Sequence, residues 1–236
     1  MKTLGKIALF LASFALSTLV AYWWLKDWPL VWILMTSIFL HEVGHWIALV
    51  NYGLKPSMFF VPLLGAAVVV SKRAGKAKLS HKQSAIVALA GPAVNFALFL
   101  LGLLISLGGN KYGMNLASLN AFLVWINLIP LFILDGQEFV RAIFAGLSES
   151  SDHIATNIMS WSFILTGLGL YLAGKSGLFC LLVFYGIRRE SKKDGLAETY
   201  SRKAMATSDA KWLIAVYIII MVSTIITSAF LPLWTI

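Results

Sequence analysis

Residues 41–46, HEVGHW, combine two imidazoles and a carboxylate at a spacing that can do chemistry. On a helix, His41 and His45 are four positions apart and share one face, so that both rings can reach one metal ion while Glu42 lies beside them. In this arrangement zinc lowers the pKa of its water from ~15.7 towards ~7, and the glutamate accepts the proton. The spacing therefore predicts a zinc site at His41 and His45 with Glu42 as catalytic base.

The residues before this motif are apolar, since 28–40 read WPLVWILMTSIFL without a charge. A charged side chain at mid-bilayer costs roughly 2.5–3.5 kcal/mol, so polar groups in such surroundings indicate function. Of the 236 residues, 59% are hydrophobic and only 12% charged, and apolar runs near the ~20 residues of a membrane span recur along the chain. The composition predicts an all-α polytopic membrane protein.

Hydropathy predicts six or seven transmembrane helices. The six longer spans are expected near 7–25, 28–50, 84–107, 116–134, 154–173 and 212–234, and a shorter apolar segment occupies 177–187. An alternative for the first span is a signal peptide, but no A-x-A-like cleavage site follows it.

The lysine and arginine residues predict the orientation. With a cytoplasmic N-terminus and a crossing at 177–187, most of the nineteen face inside, whereas without that crossing the two sides carry nearly equal numbers. The positive-inside rule therefore favours seven spans, although 177–187 is short and a six-span version stays open. The basic loops at 72–82 and 188–195 indicate attraction to anionic lipid rather than nucleic-acid binding.

A catalytic zinc normally has three protein ligands, so a third is expected beside the histidines. The acidic candidates near apolar segments are Asp27, Asp135, Glu138 and Asp152. Asp27 is expected on the opposite side of the membrane and Asp152 far along a polar loop. The 116–134 span delivers Asp135 to the same half of the membrane as the histidines, with Glu138 one turn further as runner-up.

Three motifs together resemble those of the site-2 protease family of intramembrane zinc metalloproteases: HEVGH, GPAVN at 91–95 and NLIPLFILDG at 127–136. The resemblance covers roughly residues 30–145. It implies a core of three transmembrane helices, Asp135 as the third zinc ligand, and one zinc ion per chain inside the bilayer towards the cytosol. Gln137 departs from the pattern, because many members have a second glycine there.

The segment 58–70, MFFVPLLGAAVVV, is too short and too broken by Pro62 and Gly65 to cross the membrane as a helix. It predicts a short re-entrant β-hairpin between the second and third helices, with an edge that holds an unwound substrate by strand addition. A simple surface hairpin is the alternative. Gly65, Asn95 and Asn127 are the candidate substrate-binding residues, although the two asparagines fit interhelical hydrogen bonds equally well.

The sequence predicts one membrane-embedded protease domain over 1–236, with a catalytic core near 28–145 and C-terminal helices in 154–236. No insertion is long enough for a PDZ domain, and the single cysteine, Cys180, excludes a cysteine-rich zinc site. The expected partners are the lipid bilayer and single-span membrane protein substrates, with no nucleic acid. A divalent-cation transporter and a catalytically inactive membrane-protein binder are the alternative functions.

Overall fold

The computed structural model describes residues 3–61, 65–70, 79–130, 134–147 and 204–228. Within these ranges the chain forms six helices and one pair of strands. In chain order they are α1 (Thr3–Leu25), α2 (Trp28–Asn51), β1 (Pro56–Val61), β2 (Gly65–Val70), α3 (His81–Ser106), α4 (Lys111–Leu128), α5 (Asp135–Leu147) and α6 (Thr207–Ser228). The predicted spans at 154–173 and 177–187, Asp152 and Cys180 lie outside the described residues.

Local capping explains where the helices around the motifs begin. The Asp27 carboxylate accepts from the Leu30 N–H at the start of α2, 3.0 Å away. Ser80 and Gln83 form a capping box before α3, because the Ser80 hydroxyl accepts from the Gln83 N–H while the Gln83 side chain accepts from the Ser80 N–H. Asn110 caps α4 by accepting from two of its first N–H groups. These side chains define where α2, α3 and α4 begin, and α2 and α3 carry HEVGH and GPAVN.

The fourth helix ends earlier than the sequence predicted. We expected a span over 116–134, but α4 ends at Leu128 and a separate helix, α5, begins at Asp135. Pro130 explains the early end, since the residue before a proline is disfavoured in the α conformation. Asp135 therefore begins a helix of its own rather than following the end of a span.

The chain divides into two compact units. The first contains α1, α2, both strands, α3 from Leu89, α4 up to Ile126 and α6 from Tyr217; the second contains the start of α3, Asn127 onwards, α5 and the start of α6.

In the first unit, α2, α3 and α4 approach each other closely at glycines. A methyl group on Gly44 of α2 would lie 2.6 Å from the Ala90 carbonyl oxygen of α3, and one on Gly113 of α4 would lie 2.7 Å from the Ser106 nitrogen. Small residues are the usual means of bringing membrane helices into such contact. The HEVGH and GPAVN segments therefore pack directly against one another.

The strands of the first unit form an antiparallel hairpin, in which Phe60 lies opposite Ala66 and Val61 opposite Gly65. The Phe60 ring packs on Phe10 and Phe14 of α1, with ring centroids 5.7 and 5.0 Å away. The predicted strands are present, and the placement of the hairpin inside the bilayer stays a prediction.

In the second unit, α5 packs on the start of α3 and the segment before α6. The Met205 N–H donates to the Gly146 carbonyl at 2.8 Å, and Lys82 forms an exposed salt bridge with Asp209 at 2.8 Å. A methyl group on Gly146 would lie about 3 Å from the side chains of Met205 and His81.

Four described helices, α1, α2, α3 and α6, are long and apolar enough to cross a membrane. They leave large apolar side chains uncovered, among them Trp23 at 75% and Leu104 at 65% exposure. Contiguous apolar surface of this kind is unfavourable in water and is expected where helices meet lipid. The predicted total of six or seven spans stays a prediction.

Candidate metal centre

The two histidines of HEVGH lie one turn apart on α2, and their rings face the same space. Their Nε2 atoms are 3.1 Å apart, and their side chains are 5% and 8% exposed. Two nitrogens at 2.0–2.1 Å from one tetrahedral zinc ion would be about 3.3 Å apart, so the observed separation is close to that of a ligand pair. Glu42, between them in sequence, is also buried.

The space that the two Nε2 atoms face is bordered by a residue without a side chain, Gly91 of α3. A methyl group on Gly91 would lie within 3 Å of the Nε2 atoms of both His41 and His45. The glycine of GPAVN therefore keeps clear the place where an ion between the two nitrogens would lie. The sequence analysis named the motif but gave this glycine no role.

The other nitrogen of His41 is held by Asn95, whose Oδ1 contacts His41 Nδ1. An amide oxygen can only accept, so Nδ1 carries the proton and Nε2 presents its lone pair. This is the ring form that binds a metal through Nε2, with an outer hydrogen bond orienting the ring. The hydrogen bond to Asn95 therefore leaves Nε2 as the nitrogen of His41 that suits metal binding.

Asn95 is completely buried, and its own amide hydrogens are directed to protein acceptors. Its Nδ2 donates to Asn120 Oδ1 at 2.8 Å and, more weakly, to the Ser37 carbonyl at 3.4 Å. Asn120 in turn donates to the Ser37 hydroxyl and to the Leu116 carbonyl, both at 2.9 Å. Asn95 of α3 therefore forms interhelical hydrogen bonds with α2 and α4, the alternative role that the sequence left open.

Ser37 and Asn120 were missed by the sequence analysis. The available signal was the placement of an asparagine within an apolar helix, where an unsatisfied amide is costly and a hydrogen-bonding partner is expected.

Asp135, the predicted third ligand, is the first residue of α5. Asp135 belongs to the second compact unit and the two histidines to the first, so its role as third zinc ligand stays a prediction. Glu138, the runner-up, lies one turn further along the same helix. The donor set of two imidazoles and one carboxylate is among those used by catalytic zinc.

The remaining candidates lie elsewhere. Asn127 is near the end of α4 and is partly exposed, and Gly65 is the first residue of β2. Asp27 caps the start of α2, fourteen residues before His41 on the same helix, about 21 Å along its axis. The substrate-binding roles of Gly65, Asn95 and Asn127 stay predictions.

Comparison with known proteins supports the sequence interpretation. Residues 29–115 match the model of Peptidase family M50. A zinc metalloprotease of Methanocaldococcus jannaschii is 30% identical to this chain over 177 residues, which are 70% of this chain and 50% of that relative. The chain thus spans about half the length of the curated relative that it matches.

A solved structure, the site-2 protease from Methanocaldococcus jannaschii, shares the fold with a TM-score of 0.50 at 24% identity, over 76% of this chain and 88% of that one. The predicted resemblance to the site-2 protease family is therefore confirmed, and residues 29–115 are the segment that matches Peptidase family M50. With its apolar helices, the chain is a membrane protein.

Proposed function

We propose that this protein is an intramembrane zinc metalloprotease that hydrolyses peptide bonds within or near the transmembrane segments of other membrane proteins. The family match and the zinc metalloprotease relative support this proposal. The observation that carries it is the buried pair of Nε2 atoms, 3.1 Å apart, facing a space that Gly91 keeps free of side-chain atoms.

In this proposal His41, His45 and Asp135 hold one zinc ion. Two imidazoles with one carboxylate leave the fourth position of a tetrahedral zinc ion open. Zinc, when bound, acts as a Lewis acid that polarises the scissile carbonyl and acidifies water.

Glu42 is the proposed general base. It accepts the proton of the attacking water and passes it to the leaving amide nitrogen, a role that a carboxylate beside two ligand histidines performs without binding the metal itself. Asn127 is the proposed donor to the developing oxyanion or to the substrate backbone. Asn95 is less suited to that role, because both hydrogens of its amide are donated to protein oxygens.

The proposed topology has six or seven spans, with the N-terminus in the cytoplasm and the metal centre towards the cytoplasmic side. Its support is the distribution of lysine and arginine residues along the chain. The domain organisation stays as predicted, one protease domain with its core near 28–145.

The strand pair has a proposed role in holding substrate. The Phe60 N–H donates to the Ser13 hydroxyl at 3.1 Å and so points away from β2. Because hydrogen-bonded and non-bonded pairs alternate in an antiparallel ladder, the N–H groups of Ala66, Val68 and Val70 point away from β1. We propose that this edge of β2, beginning at Gly65, binds an unwound substrate strand, with the hairpin re-entrant in the bilayer.

The test is cleavage of a panel of single-span membrane proteins in liposomes by the wild type and by Glu42→Gln. The variant should lose ~10²–10⁴-fold in rate, the usual scale for a general base, while zinc content stays at one ion per chain. Cleavage by the variant at the wild-type rate would refute the proposal. Metal flux in liposomes without cleavage would instead support the transporter alternative. Binding of the panel proteins without cleavage or flux would support the inactive-binder alternative.

A further inference from the structure

The hydrogen bonds that link Asn120, Asn95 and His41 each have a defined donor and acceptor, and two backbone carbonyls determine which atom donates. The Leu116 carbonyl can only accept, so the Asn120 atom facing it is the Nδ2 donor and the opposite atom, Oδ1, faces Asn95. The Ser37 carbonyl likewise requires the donor side of Asn95. Both amides are therefore held in one orientation.

The contact with Asn120 is the stronger of the two that orient Asn95. Asn95 Nδ2 lies 2.8 Å from Asn120 Oδ1 and 3.4 Å from the Ser37 carbonyl, and hydrogen bonds weaken towards the longer distance. If Asn95 rotated by half a turn, its Oδ1 would face two acceptor oxygens and its Nδ2 would face His41 Nδ1. His41 would then accept at Nδ1 and carry its proton on Nε2, the atom that faces the metal space.

We propose that Asn120 is a positioning residue for the metal centre: it orients the Asn95 amide, which keeps the proton of His41 on Nδ1 and the Nε2 lone pair available to a metal. Asn120 belongs to none of the three motifs, and it acts through Asn95 without touching the metal or the substrate. The predicted effect on zinc binding rests on the proposed function. The hydrogen bonds from Asn120 through Asn95 to His41 are a property of the metal-free protein and do not depend on it.

Burial makes this arrangement specific. Asn95 and Asn120 are both completely buried and Ser37 is nearly so, so their polar groups depend on one another and not on bulk water for hydrogen bonds. An unsatisfied buried amide is unfavourable, which couples the orientation of each side chain to the next. Loss of an outer hydrogen-bonding partner of a metal-binding histidine typically weakens metal affinity ~10–100-fold.

The experiment compares Asn120→Ala with Asn115→Ala, which removes a partly exposed asparagine from the same helix. Two quantities are measured: the zinc dissociation constant by chelator competition, and the tautomer of His41 by ¹⁵N NMR of metal-free protein with labelled histidine. We expect Asn120→Ala to weaken zinc binding, by up to the ~10–100-fold that loss of Asn95 itself would cause, and to populate the Nε2-protonated tautomer of His41. Asn115→Ala should leave both unchanged.

A rescue variant separates positioning from packing. In Asn120→Asp one carboxyl oxygen still accepts from Asn95 Nδ2, while the other, protonated in the apolar interior, donates to the Leu116 carbonyl. Asn120→Asp should therefore keep the Nδ1-protonated tautomer of His41. If Asn120→Ala does not fold, Asn120→Leu, whose side chain is of similar size to asparagine, takes its place.

Wild-type tautomer and zinc affinity in Asn120→Ala or Asn120→Leu would overturn the inference, and so would an Asn120→Asp variant that behaves like Asn120→Ala. If the wild-type protein bound no zinc, the proposed function would fail. The tautomer measurement would still show whether Asn120 acts on His41 through Asn95.

Discussion

The surroundings of His41 and the surroundings of β1 lie in the same compact unit but are stabilised in different ways. Behind His41, polar groups of α2, α3 and α4 form directional hydrogen bonds in a fully buried space. Around β1, the contacts are mainly apolar: Phe60 is buried together with Val31 and Met35, its ring packs on Phe10 and Phe14, and its N–H donates to the Ser13 hydroxyl.

The difference follows from what each region has to fix. A metal ligand needs one rotamer and one tautomer, which only directional contacts define, and in apolar surroundings an unpaired polar group is costly. Apolar packing fixes the position of β1 but tolerates changes of similar volume, and the proposed substrate-binding edge is on the other strand, β2. Substitutions should therefore act on metal binding in the first region and on substrate handling in the second.

The largest effect is expected at Gly91, where a methyl group would occupy the space between the two Nε2 atoms. Gly91→Ala should abolish stoichiometric zinc binding, and cleavage with it, while the protein still folds. Zinc content of the purified protein measures this. Gly108→Ala is the matched control, because a methyl group there meets nothing within 4 Å. Full zinc content in Gly91→Ala would place the metal elsewhere.

Asp135→Asn should have the next largest effect, because it removes the only carboxylate among the three proposed zinc ligands. Zinc affinity should fall by more than the ~10–100-fold that loss of an outer partner costs. Glu138→Gln, one turn along the same helix, is the control and should bind zinc as the wild type does. The reverse pattern in a chelator competition would assign the third ligand to Glu138.

The smallest effect is expected at Val68, whose N–H points away from β1 in the ladder register. Val68→Pro removes that donor without removing a bond between the two strands. Loss of one hydrogen bond to substrate, ~0.5–1.5 kcal/mol, should slow cleavage of helical substrates about 2- to 10-fold and leave zinc content unchanged. Val68→Ala keeps the donor and serves as control. Equal slowing on a short unstructured peptide would argue against strand addition.

The sequence predicted several features that depend only on residues close together in the chain, with the end of α4 as an exception. Histidines four apart on an apolar helix predicted the pair of facing Nε2 atoms, because helix geometry alone brings positions i and i+4 together. Pro62 and Gly65 likewise predicted the break between two short strands. The end of α4 was predicted six residues too late, since the apolar run continues past Pro130 although the helix does not.

The contacts behind His41 could not be predicted, because they join residues far apart in sequence. Asn120 meets Asn95 across 25 positions and Ser37 across 83. Such pairs depend on how α2, α3 and α4 pack, which no single-segment pattern contains. The role of Gly91 has the same origin, since only the packed helices bring it against the two rings.

The central claim is that hydrolysis takes place inside the bilayer, and mapping the cut in a single-span substrate tests it most directly. His41 lies ten residues before the end of α2 at Asn51, about 15 Å along the helix axis. Mass spectrometry should therefore locate the cut within the transmembrane segment of the substrate, in its cytosolic half. The products are those that the wild type forms in liposomes and that Glu42→Gln does not form. Products that end wholly outside the apolar segment would contradict this account.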